Sequence, residues 1–286
     1  MNINATYKAS VFSHLFSDPD LLRDLYCALE GISLPTDIPV VINTLEDVLF
    51  MELINDISFV LGGKLVVLIE HQSTINPNLP LRLLLYIARV YEKMFKGEAL
   101  YSRKLITIPR PEFFVLYNGT DAYPDDKTLK LSDAFEQLGD LGFADKTLLE
   151  LEARIININE GRNTAIVQRC RKLGEYSAFI ARVRDFERDL GSREEGIKAA
   201  IKHCLERGIL KEFLEEHSSE VFNMLLTEWN TADAIAVNRR EGEEIGLEKG
   251  RNAEKMDIAK NLKEAGMTPE FISQNTGLSL EEIARI

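Results

Sequence analysis

Residues 55–74 read NDISFVLGGKLVVLIEHQST, and the reading of this stretch decides the fold. Two apolar runs, 57–61 and 65–69, meet at Gly62-Gly63, the pattern of a β-hairpin with buried arms. One arm nevertheless opens on Asp56, and the other closes on Glu70-His71-Gln72. A buried carboxylate is costly unless it is paired, hydrogen-bonded or bound to a metal.

The turn sets the relation of the two acids, because side chains alternate along a strand. A two-residue Gly62-Gly63 loop pairs Leu61 with Lys64, sets Asp56 opposite Ile69 and sends the carboxylates to opposite faces. A three-residue loop pairs Leu61 with Leu65, matches apolar with apolar throughout, and sets Asp56 directly opposite Glu70. The second register is the expectation, since it packs the core and brings the acids together. Cross-strand partners have Cβ atoms ~5 Å apart, near enough for both to hold one divalent cation. Mg²⁺ suits such a pair: a hard cation relieves the repulsion and keeps waters and a phosphate oxygen among its ligands. Gln72 falls two residues beyond Glu70, placed to orient a water; His71 alternates away. Glu52, four residues before Asp56, is an auxiliary acid candidate. The alternative is a strand end emerging into solvent, where these residue types are ordinary.

Outward from the hairpin, residues 7–30 have helical apolar spacing broken at Asp18-Pro19, and GISLPTDIPV (31–40) is turn-like. Residues 43–52 lead into the first strand. A helix is expected over 79–95, strands over 110–117 and 148–157, and helices from about 164 onward. That order predicts a mixed α/β core with an all-helical C-terminal extension, divided as 1–190 and 191–286. In the tail, Thr268-Pro269 starts a helix and Ser279-x-x-Glu282 is a capping box. The resulting helix-turn-helix-like hairpin offers only Arg285 beside Glu281 and Glu282, so it is poorly equipped to read bases.

Composition is that of a globular protein: 286 residues, 45% hydrophobic and 28% charged. The start, MNINATYKASVFSHLF, has no basic region before an apolar stretch, and Arg82 and Arg89 interrupt the richest apolar run. Neither a leader nor a membrane span is expected. Three widely spaced cysteines, Cys27, Cys170 and Cys204, fit neither a disulfide framework nor a CxxC zinc site and point to a reducing cytoplasm. There is no HExxH, Walker loop or GxGxxG, so no small-molecule cofactor is expected, and His14, His203 and His217 lack ligand spacing. Net charge is −12, which speaks against a nucleic-acid binder overall. Cations nonetheless concentrate in residues 80–110 and 162–188, either as a face for a polyanion or as helix surfaces balanced by acidic neighbours. Arg82 and Arg89, seven apart on one helical face with Lys93 beyond, are the candidate phosphate contacts; surface ion pairs are the alternative.

An Asp on one strand and Glu-x-Gln closing the next resembles the PD-(D/E)XK nuclease superfamily, with Gln in the usual lysine position. More specifically, the stretch from residue 55 to residue 92 resembles the Rpn family of recombination-promoting nucleases, also described as putative transposases. EHQST (70–74), the Asn-x-Pro stretch, the Leu-Arg-rich helix, FFVLYNG, LELEARIININEGRN and the MTPEFIS…GLSLEEI tail carry the likeness nearly end to end. The resemblance implies a restriction-endonuclease-like core, a mixed central sheet flanked by helices, and metal-dependent DNA cleavage associated with recombination or mobile elements. It assigns Asp56 and Glu70 to the metal, Mg²⁺ with Mn²⁺ or Ca²⁺ as substitutes, and Gln72 to the catalytic lysine or glutamine position. Ala9 stands where the family usually has an aspartate, at a helix position whose acid completes the metal site in many such nucleases. Cutting both strands usually needs two active sites, so a homodimer is expected. The competing expectation is a catalytically impaired relative that acts as a DNA-binding or protein-interaction module.

Overall fold

Both glycines of the central hairpin have positive φ, +57° at Gly62 and +82° at Gly63, as the two-residue type I′ loop requires. In this computed structural model, which describes residues 10–42, 56–71, 75–95, 101, 103–136 and 147–285, the loop is that short. Leu61 pairs with Lys64 and Asp56 pairs with Ile69. The three-residue register expected from apolar matching is therefore corrected. Two causes favour the shorter loop. Its twist matches the right-handed twist of the strands it joins. Lys64, moreover, need not avoid the sheet, because its ammonium group pairs with Glu112 and donates to the Tyr26 hydroxyl at 2.9 Å.

The hairpin strands β2 (Asp56–Leu61) and β3 (Lys64–His71) lie within a six-stranded mixed sheet. The others are β1 (Val40–Ile42), β4 (Arg110–Tyr117), β5 (Asp126–Lys130) and β6 (Glu152–Asn157), in the order β1-β2-β3-β4-β6-β5. β3, β4 and β6 run parallel, and the remaining pairings are antiparallel. The expected strand over 148–157 begins at Glu152. β1 and β5 were not anticipated: Val40 closes the segment read as a turn, and β5 is the exposed sequence DKTLK without alternating apolar residues.

One face of the sheet presents Leu65, Phe113, Val115, Tyr117, Ala153 and Ile155 to helix α3 (Leu79–Met94), which buries Leu79, Leu83, Tyr86, Ile87 and Val90. Across the other face lies α2 (Pro19–Glu30). Its Tyr26 ring packs edge-on against Phe114, and Arg154 of β6 donates to the Leu29 carbonyl at 3.0 Å. α2 starts where its sequence says, with the Asp18 carboxylate capping the Asp20 and Leu21 amides ahead of Pro19. Before it stands the short α1 (Val11–Leu15), capped by Ser10.

Tyr26, Lys64 and Glu112 form a largely shielded triad, in which Tyr26 also donates to Glu112 at 2.7 Å. Burial pushes the Tyr26 phenol up from 10.0 to about 12. The Glu112 hydrogen bond, and then that of Tyr26, raise Lys64 above its ordinary 10.5. Both shifts are upward, so the stability they supply is complete below pH ~10 and is lost as pH climbs through the raised values. Lys64→Met is expected to cost about 1–2 kcal/mol at neutral pH. In a denaturant titration repeated from pH 7 to 11, the gap between parent and variant should hold to about pH 10 and begin to narrow above it; a gap independent of pH would disprove the linkage.

Helices follow β6: α4 (Thr164–Arg169), α5 (Arg171–Leu190), α6 (Arg193–Arg207), α7 (Lys211–Glu264), α8 (Pro269–Thr276) and α9 (Leu280–Arg285). The chain forms two compact units, Met1–Glu228 and Trp229–Ile286. α5 buries Tyr176, Phe179, Ile180 and Val183, and α6 buries Ile197, Ala200 and Cys204, so the helical segment after 190 shares the first unit's core. The second unit has its own small core of Ala259, Ile272, Leu278 and Ile283. Its caps are those anticipated: Thr268 accepts from Phe271, and Ser279 and Glu282 form the reciprocal box.

Cys27, Cys170 and Cys204 are all free thiols, and burial pushes Cys170 and Cys204 up to about 11, which leaves those two unreactive. No helix among the described residues is long and apolar enough to cross a membrane.

Candidate site at the carboxyl edge of the parallel strands

β3, β4 and β6 end at one edge of the sheet, on the rows Glu70–Leu116 and His71–Tyr117 and on Tyr117–Asn157. β2 runs antiparallel to β3, so its first residue, Asp56, opens at that same edge. In open α/β sheets the carboxyl ends of parallel strands are where ligands bind, because the following loops diverge there. Asp56 and Glu70 are described by their backbone alone, and Ala9, Glu52 and Gln72 lie outside the described residues.

The donor chemistry of Asp56, Glu70 and Gln72 is all oxygen and fits a hard divalent cation. The register limits how they combine. Glu70 is one rung beyond the partner of Asp56, which puts the two Cα atoms ~6 Å apart by strand spacing and rise. Alternation assigns the two positions to opposite faces, so the direct cross-strand pair expected from sequence is absent.

Other groups at this edge escaped the sequence reading. Arg184 of α5 donates to Asn159 Oδ1 at 3.0 Å, to Asn118 Oδ1 at 3.3 Å and to the Asn118 carbonyl. Asn157 and Asn159 are bonded to one another at 2.9 Å, and Asn157 reaches back to the Tyr123 carbonyl at 3.0 Å. Asn118 is buried, and its Nδ2 has no partner, an unmet donor that is costly in such a position. The signal was present in YNG (117–119) and NINEG (157–161): asparagines directly after apolar strands seldom serve packing.

The basic segments separate. In the second, the balanced alternative holds for most members. Arg162 pairs with Asp125 at 3.0 Å, Arg171 with Glu175 at 2.6 Å, Arg182 with Glu160 at 2.6 Å and Arg188 with Asp185 at 2.8 Å. Arg184 is held by the asparagines described above. In the first, Arg82, Arg89 and Lys93 follow one line along α3, at the margin of its buried face, with exposed Leu81 and Leu85 alongside.

Fold and edge together define a mixed α/β protein with polar residues at the ends of its parallel strands. A family model described as putative transposase, YhgA-like, matches residues 44–185. Over that span the chain is similar to the YhgA-like family of putative transposases, in agreement with the resemblance seen in its motifs. Searches of curated proteins and of solved structures find no match.

Proposed function

We propose that this chain is a metal-dependent DNA endonuclease of the PD-(D/E)XK type, acting in recombination or mobile-element processes. The observation that carries the reading is the family match, whose span contains the whole Asp56…Glu70-x-Gln72 set and the strand ends that bear it. Asp56 and Glu70 supply carboxylate oxygens to Mg²⁺, for which Mn²⁺ or Ca²⁺ can stand in, and the Gln72 amide orients the attacking water. When bound, the ion supplies a lowered water pKa and countercharge for the phosphodiester. Arg82, Arg89 and Lys93 take the DNA backbone, since an acidic chain needs a local concentration of cations to approach phosphates. A homodimer brings two sites to two strands.

A second reading is favoured by the register: with positions 56 and 70 on opposite faces and Ala9 in place of an acid, the chain is a DNA-binding module that does not cut. The two readings part on plasmid DNA with Mg²⁺. The nuclease reading expects nicking that increases in Ala9→Asp. Equal nicking by both forms removes position 9 from the site. Retention of DNA with steep salt dependence and no cleavage by either form selects the binding module.

A further inference from the structure

His14 and His217 lie far apart in the chain, yet α1 and α7 bring their rings to 4.5 Å, edge to face. Glu220 joins them. Its Oε2 is 2.9 Å from His217 Nδ1 and 3.6 Å from His14 Nε2, and donor atoms of the three side chains lie within 4.8 Å of one another. We propose that His14, His217 and Glu220 bind a transition-metal ion of the zinc class, which ties the N-terminal helix α1 to α7 within the first unit.

The donor types set the ion. Two imidazole nitrogens and one carboxylate oxygen match Zn²⁺, which accepts this set with a water in the fourth position, whereas Mg²⁺ and Ca²⁺ prefer oxygen throughout. Distances are of the right order. Metal–ligand bonds of ~2.0–2.2 Å in a tetrahedron place neighbouring donors ~3.4 Å apart, so the observed separations need only small side-chain adjustments. His217 and Glu220 stand three residues apart on α7, the spacing that points both toward one side and that helical bundles use for paired Glu and His ligands.

The surroundings hold the ligands in place. The Phe213 ring packs against both imidazoles, at 5.5 Å from His14 and 5.3 Å from His217. Side-chain exposure is 29% for His14 and 26% for His217 but 59% for Glu220, so the site is walled by aromatic rings and open on the carboxylate side. The other nitrogen of His217, Nε2, lies 3.8 Å from Glu216 Oε2, too far for a hydrogen bond but on the side of the ring away from Glu220. A single oxygen, Glu220 Oε2, serves both rings while lying beyond hydrogen-bond reach of His14; an ion among the three satisfies all of them at once.

The test uses the untagged, metal-stripped full chain carrying Asp56→Ala and Glu70→Ala, so that an ion at those carboxylates is not counted. Calorimetric titration with Zn²⁺ is expected to give one ion per chain, and Co²⁺ should develop the visible bands of a tetrahedral site. Because loss of a mere orienting partner costs 10–100-fold, His14→Ala and His217→Ala are each expected to weaken Zn²⁺ binding by about 100-fold or more and to abolish the Co²⁺ bands. His203→Ala, a histidine packed on Phe186, should leave both readouts unchanged. His14→Gln and His217→Gln keep the side-chain volume and separate ligand loss from misfolding, with circular dichroism as the check. No Zn²⁺ uptake by the starting chain, or uptake unchanged in the folded Gln variants, overturns the proposal. Neither outcome bears on the nuclease reading, which concerns other residues.

Discussion

Asp56→Ala/Glu70→Ala is expected to reduce Mg²⁺-dependent plasmid nicking by at least about 100-fold, in whichever of the parent and Ala9→Asp forms is active. The magnitude follows from what the substitutions remove. Groups that only orient a ligand cost about 10–100-fold when lost, and loss of the carboxylate donors removes the ion itself. The folded state should not suffer, since Asp56 opens its strand and Glu70 stands one residue before the end of its own. Thermal melting therefore serves as the control. Single substitutions add information because the register puts positions 56 and 70 on different rungs. If both carboxylates hold one ion, each single variant should fall nearly as far as the double. If Glu70→Ala abolishes nicking while Asp56→Ala leaves it intact, the ion belongs to the face of Glu70 alone, and Asp56 has no share in it.

Gly196→Ala is expected to lower the stability of the first unit by about 3 kcal/mol, or roughly 6–12 °C in melting temperature. Intrinsic propensity argues the reverse, because alanine is favoured over glycine in a helix by about 1 kcal/mol. Packing decides the sign. Gly196 is buried in the first turns of α6, and a Cβ there falls 2.7 Å from both the backbone nitrogen and the Cα of Glu187 in α5. Backbone cannot rotate aside as a side chain can, so the two helices must separate. Their apolar rows, Tyr176, Phe179, Ile180 and Val183 on α5 and Ile197, Ala200 and Cys204 on α6, would lose contact along with it. A melting temperature equal to or above the parent's would show that the helices do not approach this closely.

Much of the fold is legible because its signals are local. Asp18-Pro19 starts α2, the run 79–95 yields α3, RPEFFVLY is β4 residue for residue, and Ser279-x-x-Glu282 caps the last helix. Each depends on residues within a turn or a strand of one another. β5 was not legible: DKTLK is mostly exposed and takes its extended form from its partner β6 rather than from its own composition. Of the candidate site, the sequence offers Asp56 and Glu70 as polar positions at the ends of apolar strands. The cluster of Arg184, Asn118 and Asn159 did not, since it joins a helix to two strand ends separated by 66 and 25 positions.

What the sequence by itself determined is therefore the element order, the caps and the presence of acids at a strand edge, all properties set by neighbouring residues. Only the tertiary structure decided the register of the hairpin, which turns on one residue of loop length and moves every side chain to the other face. It decided the pairing of Arg162, Arg171, Arg182 and Arg188 with acids. It also brought His14 to His217 and Glu220, because an encounter between residues far apart in the chain is governed by the packing of whole helices and leaves no trace in local spacing.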